Sequence, residues 1–502
     1  MKSYTIIFLV AFVFFKMPAP AQEDGDPVSI GKYRKLYSKI LNEERILLAN
    51  LPRGYDETEN SYPVLYVLYG GNPQGYFAEA VHIVERLNEA GRIPDMIIVG
   101  VENTDRYRDC LPVNRNGEPG GAGNFLKFFA EELIPFVEQS YRTKDFRILL
   151  GPQAGAAFSL YTLMEDASLF RVAIATNPFW ISASRKYLLE KAKDFFNREG
   201  PLQNFLFITS NTNADDDATM EYLQDFKTVV ENGKKKDFTF VINQLEERET
   251  GIISSPGLRK GLETFFREYK FPQDIIINGL EDLKIYYQKL SRKYGYEIDI
   301  PEFTLVRQGD RLEERNKLEE AKIVFEYIVE KYPHDLNSYA RLADLHRRWG
   351  NYDSAIQYYK QFLEIRQMPF IEGRLKSLEK YLNESVAYAI EKEINRLGIE
   401  AGITKFQSLR SDEQNVLSFS ENDFISLGYN LITRGKIEAA IEVLKMNVEI
   451  NPESFNAYDC LGEAYMKSGD KKSAVKNYRK SLELNPGNDN ARQMLIEIGR
   501  NK

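Results

Sequence analysis

The sequence is poor in the residues on which most hydrolytic and metal-dependent chemistry relies. Its 502 residues include three histidines, His82, His334 and His346, and two cysteines, Cys110 and Cys460. Scattered imidazoles and distant thiols do not make a zinc site of the usual spacing, so no metal and no organic cofactor is expected. No Gly-x-x-x-x-Gly-Lys-Ser/Thr run occurs, which excludes a phosphate loop. The cysteines fall in separate halves of the chain, so no disulfide framework is expected and both thiols should be reduced or simply buried. Basic excess is also missing. Lys and Arg number 66 against 74 Asp and Glu, a net charge of -8 that gives no electrostatic reason to bind nucleic acid. The compact basic run Lys234-Lys235-Lys236 follows Asn232-Gly233 and reads as a solvated turn.

Long apolar runs are absent beyond the N-terminus. There, Lys2, the ten apolar residues Ile6 to Phe15 and Ala19-Pro20-Ala21 before Gln22 match the three regions of a secretory signal peptide. Ten residues are too few to cross a bilayer, which takes about 20. Residues 1–21 are therefore expected to be removed after Ala21, leaving a periplasmic or secreted chain with no integral membrane segment. At 43% hydrophobic and 28% charged, so long a chain should fold as two or more domains.

From residue 28 to 270, β-like and helix-like segments alternate as a doubly wound α/β sheet requires. Strands are expected at Arg45–Leu51, Pro63–Tyr69, Met96–Val101, Phe146–Leu150, Val172–Thr176, Phe205–Thr209 and Phe238–Asn243. Several are continuous apolar runs, the pattern of parallel strands covered on both faces. Amphipathic helices fit between them at Ala78–Ala90, Asn124–Tyr141, Ala156–Glu165, Ala218–Glu231 and Pro256–Tyr269. The glycine-rich stretch Gly117 to Gly123 precedes a helix without a preceding strand and reads as a flexible surface segment.

One short segment bears on chemistry. Gly151-Pro152-Gln153-Ala154-Gly155 follows the strand ending at Leu150 and opens the next helix, the context of a Gly-x-Ser-x-Gly nucleophile elbow. Its middle residue is glutamine, whose amide cannot replace an activated hydroxyl.

Several stretches in fixed order make the region resemble the esterase D family of α/β-hydrolases over roughly residues 34–268. They are Ser38 to Arg45 with Leu51-Pro52-Arg53-Gly54-Tyr55, then Tyr62 to Leu68, then Asn103-Thr104-Asp105-Arg106-Tyr107-Arg108-Asp109, then Asn124 to Pro135 and Tyr141-Arg142-Thr143 leading into the elbow. The resemblance implies an elbow Gly-His-Ser-x-Gly-Gly, which puts Pro152 at the histidine and Gln153 at the nucleophile. It also implies a catalytic histidine before the last helix, and aligning Gly251, Pro256 and Gly261-Leu262 puts Thr250 there. Independently of alignment, His82 precedes the elbow and the other two histidines lie in the C-terminal half, so none is placed to act as base. After Thr209 the family supplies a carboxylate; here come Asn211-Thr212-Asn213 and only then Asp215-Asp216-Asp217, which reads as a solvated loop. The turn Tyr69-Gly70-Gly71-Asn72 stands where the family builds its oxyanion donors. A remnant pocket lined by Tyr69, Gly70, Gln153, Ala154, Trp180 and Thr250 is expected, in which Gln153 either recognises a carbonyl or sugar hydroxyl or caps local backbone.

The C-terminal half is helical and periodic. Gly428, Gly435, Ala440 and Pro452 recur 34 residues later as Gly462, Gly469, Ala474 and Pro486, and Gly309 and Ala321 recur as Ala343 and Ala355. Small residues at helix crossings, bulky ones such as Tyr465, Tyr478 and Leu482 between them, and a closing proline resemble the tetratricopeptide repeat. Repeats are expected near 303–335, 336–369, 421–454 and 455–488, with 271–302 a helical linker and 370–420 irregular, holding either a degenerate repeat or a connection. The fold class expected is thus an α/β-hydrolase-type domain followed by an all-α solenoid, which binds a protein or peptide partner or simply docks intramolecularly.

Together these features point to an exported, catalytically inactive esterase-like protein that binds a ligand, such as a small molecule or glycan ester, or a protein partner. An active carboxylic-ester hydrolase is the alternative.

Overall fold

The computed structural model describes residues 29–72, 75–176, 178, 182–211, 217–245 and 254–500; the leader expected over 1–21 lies outside them. The chain divides into two compact units. One runs to Pro272 and takes in Lys289–Ile298, and the other comprises Gln273–Gln288 and Asp299–Lys502.

Among the described residues the first unit is built on ten strands: β1 (Lys32–Ser38), β2 (Glu43–Asn50), β3 (Tyr62–Leu68), β4 (Ile97–Val101), β5 (Thr143–Pro152), β6 (Val172–Thr176), β7 (Gly200–Pro201), β8 (Phe205–Asn211), β9 (Lys235–Lys236) and β10 (Thr239–Leu245). Eight form one sheet in the order β1-β2-β4-β3-β5-β6-β8-β10, and β7 pairs with β9 alone. β1 and β2 make an antiparallel hairpin and β2 runs antiparallel to β4, while β4, β3, β5, β6, β8 and β10 are mutually parallel. Every residue of β3, β4 and β6 is buried, which is why these strands read as unbroken apolar runs.

Helices cover both faces: α1 (Tyr76–Glu89), α2 (Arg106–Cys110), α3 (Ala122–Phe128), α4 (Ile134–Ser140), α5 (Ala154–Glu165), α6 (Ser182–Asn197), α7 (Asp217–Glu231) and α8 (Ser254–Phe265). A π-helical turn at Phe129–Leu133 makes α3 and α4 continuous. It sets Phe129 edge-on to Tyr66 at 5.8 Å while Phe125, Phe128 and Phe158 close the aromatic core around it. On its outer side Glu132 accepts hydrogen bonds from the Ser38 hydroxyl and the Lys39 and Ile40 amides, fixing the β1–β2 turn.

Three local expectations change. The polar β1 is an edge strand that periodicity did not announce. The basic run is not a plain turn: Lys235 and Lys236 pair with β7, and the Lys235 ammonium lies 4.9 Å from the Phe195 ring centroid. The glycine-rich stretch lies at the surface as expected, but main-chain bonds from Asn114 to Glu118, Gly120 to Pro112 and Gly121 to Arg108 hold it as an ordered turn.

The second unit is all helical. α9 (Leu280–Tyr294) contributes to it, followed by α10 (Glu302–Glu314), α11 (Leu318–Lys331), α12 (Leu336–Trp349), α13 (Tyr352–Ile365), α14 (Pro369–Glu384), α15 (Val386–Leu397), α16 (Ile399–Ser411), α17 (Glu421–Thr433), α18 (Ile437–Ile450), α19 (Phe455–Ser468), α20 (Lys471–Leu484) and α21 (Asp489–Arg500). Asp335, Ser420, Ser454 and Asp470 cap helix N-termini with their side chains. A Cβ on Gly462 would stand 2.9 Å from the Tyr478 ring, the crossing that the 34-residue period marks. Between the repeat pairs, α15 and α16 are joined by Gly398 alone, and Gly402 abuts Ile394 as a repeat glycine would. A buried cluster ties this segment to both pairs: Glu391 accepts from Tyr381 at 2.8 Å, from Arg434 at 2.7 Å and from Tyr352.

Candidate functional site

The parallel strands end on one side of the sheet, where α/β proteins gather their functional residues. β5 ends at Pro152, and Gln153 turns the chain into α5 at φ 52 and ψ -118, a backbone region that glycine enters far more easily than any L-residue. The turn is tight. A Cβ on Gly151 would lie 2.3 Å from both the Gly155 carbonyl oxygen and Ser159 Oγ, and the Gln153 amide donates to Thr176 at the end of β6 across 2.9 Å. Backbone and packing thus hold the side chain of residue 153 outward.

Arg106 meets that side chain. Its Nη1 donates to Gln153 Oε1 at 2.9 Å, and its guanidinium leans on the Tyr107 ring. Arg106 opens α2, which Asp105 caps by accepting from the Tyr107 and Arg108 amides at 3.0 and 3.1 Å. In the sequence Arg106 belongs to the stretch Asn103 to Asp109 that resembles the family, a resemblance that gives it no place in the site. The signal available was its position just beyond the buried end of β4.

Beneath α2 sits a buried ion pair. Arg45 is fully buried and Asp109 nearly so, and Arg45 Nη1 donates to Asp109 Oδ2 at 2.8 Å and to the Glu102 carbonyl at 2.9 Å. Asn103 Nδ2 donates to the same Asp109 oxygen at 3.2 Å, and Asn103 Oδ1 accepts the Tyr69 amide at 3.1 Å. The Gly70 amide donates to Val101. Of the turn Tyr69-Gly70-Gly71-Asn72, the Tyr69 and Gly70 amides are therefore engaged within the protein. Tyr69, at φ 62, sends its hydroxyl to Cys110 Sγ at 3.8 Å. Burial pushes the Tyr69 phenol and the Cys110 thiol far above their ordinary values, so both stay neutral.

The structure brings together Tyr69, Gly70, Gln153 and Ala154. Trp180, Thr250 and the Asp215-Asp216 pair lie outside the described residues. Ser159, the nearest serine along α5, is buried and donates to the Gly155 carbonyl at 3.0 Å, so it offers no exposed hydroxyl. His82 sits exposed on α1, while His334 and His346 belong to the second unit. Both cysteines are free and buried.

Residues 38–246 match the family model described as "Putative esterase", and residues 336–367 and 455–488 match tetratricopeptide repeat models. Among curated proteins, the uncharacterized protein YjcH of Bacillus subtilis is 29% identical over 165 residues, 32% of this chain and 65% of that protein. Ferri-bacillibactin esterase BesA of the same organism is 32% identical over 154 residues, 27% of this chain and 53% of BesA. The matches thus span between about half and two thirds of these relatives. Among solved structures, an IroE-like serine hydrolase from Shewanella oneidensis is 25% identical with a TM-score of 0.50, covering 59% of this chain and 98% of that one.

Proposed function

We propose, for a chain that joins an esterase-family domain to tetratricopeptide repeats, that the esterase site has lost its chemistry and serves in binding. The observation that carries this reading is Gln153, held at φ 52 on a strand-to-helix elbow with its amide oxygen on Arg106. An elbow exists to present a nucleophile, and an amide hydrogen-bonded to a guanidinium is not one. With Thr250 in the histidine position the base is missing as well, and losing one member of such a set already removes most of the rate enhancement.

The Gln153–Arg106 pair suits recognition of a carbonyl-bearing ligand, since the amide nitrogen and the remaining guanidinium hydrogens are donors. The ferri-bacillibactin esterase among the relatives makes an ester of that class the first ligand to offer. In this reading the repeats supply contacts to a protein partner, and the leader expected over residues 1–21 directs the mature chain out of the cytoplasm.

The test is direct. Purified protein given short p-nitrophenyl esters should show no turnover above buffer, and a fluorophosphonate probe should label no serine. Turnover abolished by Gln153→Ala would overturn the reading, as would stoichiometric probe labelling.

A further inference from the structure

The face that β1 and β2 share carries a cavity of about 320 Å³ at the end of the sheet opposite the elbow. Leu51, just past β2, and Tyr141, just before β5, stand at its wall, whereas Gln153 follows the other end of β5. The ten residues of β5 lie between the two places, about 30 Å of strand at about 3.3 Å per residue. Ala49, Leu51, Pro52 and Tyr55 give the cavity an apolar surface. β1 gives it charge. Directly opposed residues of paired strands share a face, so Lys32, across from Ala49, and Arg34, two residues on, stand on the cavity side. Lys35, on the other face, pairs with Glu44 at 2.9 Å. No carboxylate pairs with Lys32 or Arg34 among the described residues, and Arg34 Nη1 donates to the Tyr33 carbonyl at 3.2 Å.

The second observation is a phenol. The Tyr141 hydroxyl is buried and has no hydrogen-bond partner among the described residues, although Tyr141 itself lines the cavity. Its neighbour Tyr55 is satisfied, its hydroxyl accepting the Arg142 amide at 2.7 Å. A buried hydroxyl with no partner is costly, and an acceptor brought into the cavity removes that cost. Two unpaired cations and a hydroxyl donor beside one apolar surface match a single kind of group, a carboxylate, which accepts from the phenol and offsets the cations. The carboxylate already in the lining, Asp56, is exposed and opposes a ligand of more than one negative charge. The volume exceeds what a bare inorganic anion fills, and an apolar body covers the surface that Ala49, Leu51 and Tyr55 offer.

We propose that this cavity binds a small monocarboxylate with an apolar body, of the aryl carboxylate class, its carboxylate oxygens accepting from the Tyr141 hydroxyl and lying against Lys32 and Arg34. The site is separate from the elbow, so its test is independent of ester chemistry: failure to bind the carboxylate leaves the turnover result untouched, and turnover leaves this cavity untouched.

The probe is 2-naphthoate, compared with its neutral counterpart 2-naphthamide, in calorimetric titrations of the full chain. Naphthoate should bind and naphthamide should not, because only the first carries the anion. Tyr141→Phe keeps the ring and should weaken naphthoate about tenfold, the loss of one hydrogen bond to a charged group. Since the phenol has no partner in the unliganded protein, the same variant should leave the urea midpoint no lower. Lys32→Gln with Arg34→Gln should weaken naphthoate at least about tenfold, and Asp56→Asn should strengthen it about twofold. Arg106→Gln, at the elbow, should leave it unchanged. No binding of naphthoate, equal binding of naphthamide, or unchanged affinity in Tyr141→Phe would each overturn the proposal. So would a lowered urea midpoint in that variant, which would give the phenol a partner within the protein, or lost affinity in Arg106→Gln, which would place the anion at the elbow.

Discussion

At the scale of single residues, the elbow stores strain that a substitution series can weigh. A non-glycine residue at φ 52 and ψ -118 costs about 1–3 kcal/mol. Glycine removes that strain but adds about 0.5–1 kcal/mol of unfolded-chain entropy, and it forfeits the Arg106 hydrogen bond, worth about 0.5–1.5 kcal/mol. These terms nearly cancel, so Gln153→Gly should keep stability within about 1 kcal/mol of the native chain. Valine, β-branched and stiff, keeps the strain and loses the bond, so Gln153→Val should cost about 2 kcal/mol in urea denaturation. A valine variant as stable as the glycine variant would show that residue 153 carries no strain. The buried Arg45–Asp109 pair weighs more. Arg45→Met takes the buried cation from Asp109, a carboxylate of 1% exposure that keeps Arg108 and Asn103 as partners, and should cost about 3 kcal/mol, the upper end for a hydrogen bond to a charged group. A variant that costs nothing would mean that Arg108 and Asn103 alone satisfy the carboxylate. The glutamine was legible from sequence because its neighbours fix the register of the motif. Arg106 was not, because its role depends on a contact across 47 residues of chain.

At the scale of elements, periodicity succeeded where burial is lopsided and failed where it is not. β6 was placed to the residue, since all five of its side chains are buried. β1, with Tyr33 and Tyr37 more than half exposed, carries no alternation because it lies at the sheet edge. The middle helices escaped the 34-residue period because α15 and α16 are joined by a single residue, too short for the repeat's own turn. Repeat two also carries a testable pH dependence. His346 of α12 is buried against Tyr358 and Trp349, with Lys322, Glu326 and Glu319 of α11 nearby. Burial first, then Lys322, holds its folded value below the ordinary one of about 6.5. The neutral form is therefore the one that folds, and the unfolded chain binds the extra proton. The stability linked to His346 should be complete above pH of about 6.5 and lost as the pH falls from there through the depressed folded value. Urea midpoints across that range should decline for the native chain and lose this component in His346→Phe. An identical decline in both would assign the effect to other groups.

At the scale of the whole molecule, the chain divides into an α/β unit and a helical unit. The fold class was legible because an α/β sheet and a helical repeat leave different periods, 2 or continuous against 3.6 and 34. The candidate site was readable in the sequence only as residues at expected motif positions, since the sequence shows which residue stands at a position but not what its neighbours do with their hydrogen bonds. That the elbow keeps its backbone while its middle residue is glutamine leads to a last prediction about recovery of chemistry. Nucleophile, base and acid act as a unit, so Gln153→Ser or Thr250→His alone should leave ester hydrolysis at background. The two together restore the hydroxyl and the imidazole. Loss of the acid costs less than loss of either partner, so the double variant should hydrolyse p-nitrophenyl esters measurably and accept a fluorophosphonate label at residue 153, even with no carboxylate rebuilt. The rate should rise with pH as the imidazole loses its proton, near its ordinary value of about 6.5. A double variant as inert as either single one, though folded, would place the histidine position elsewhere than residue 250. Activity in Gln153→Ser alone would mean that a base stands within reach of the elbow that none of the three histidines supplies.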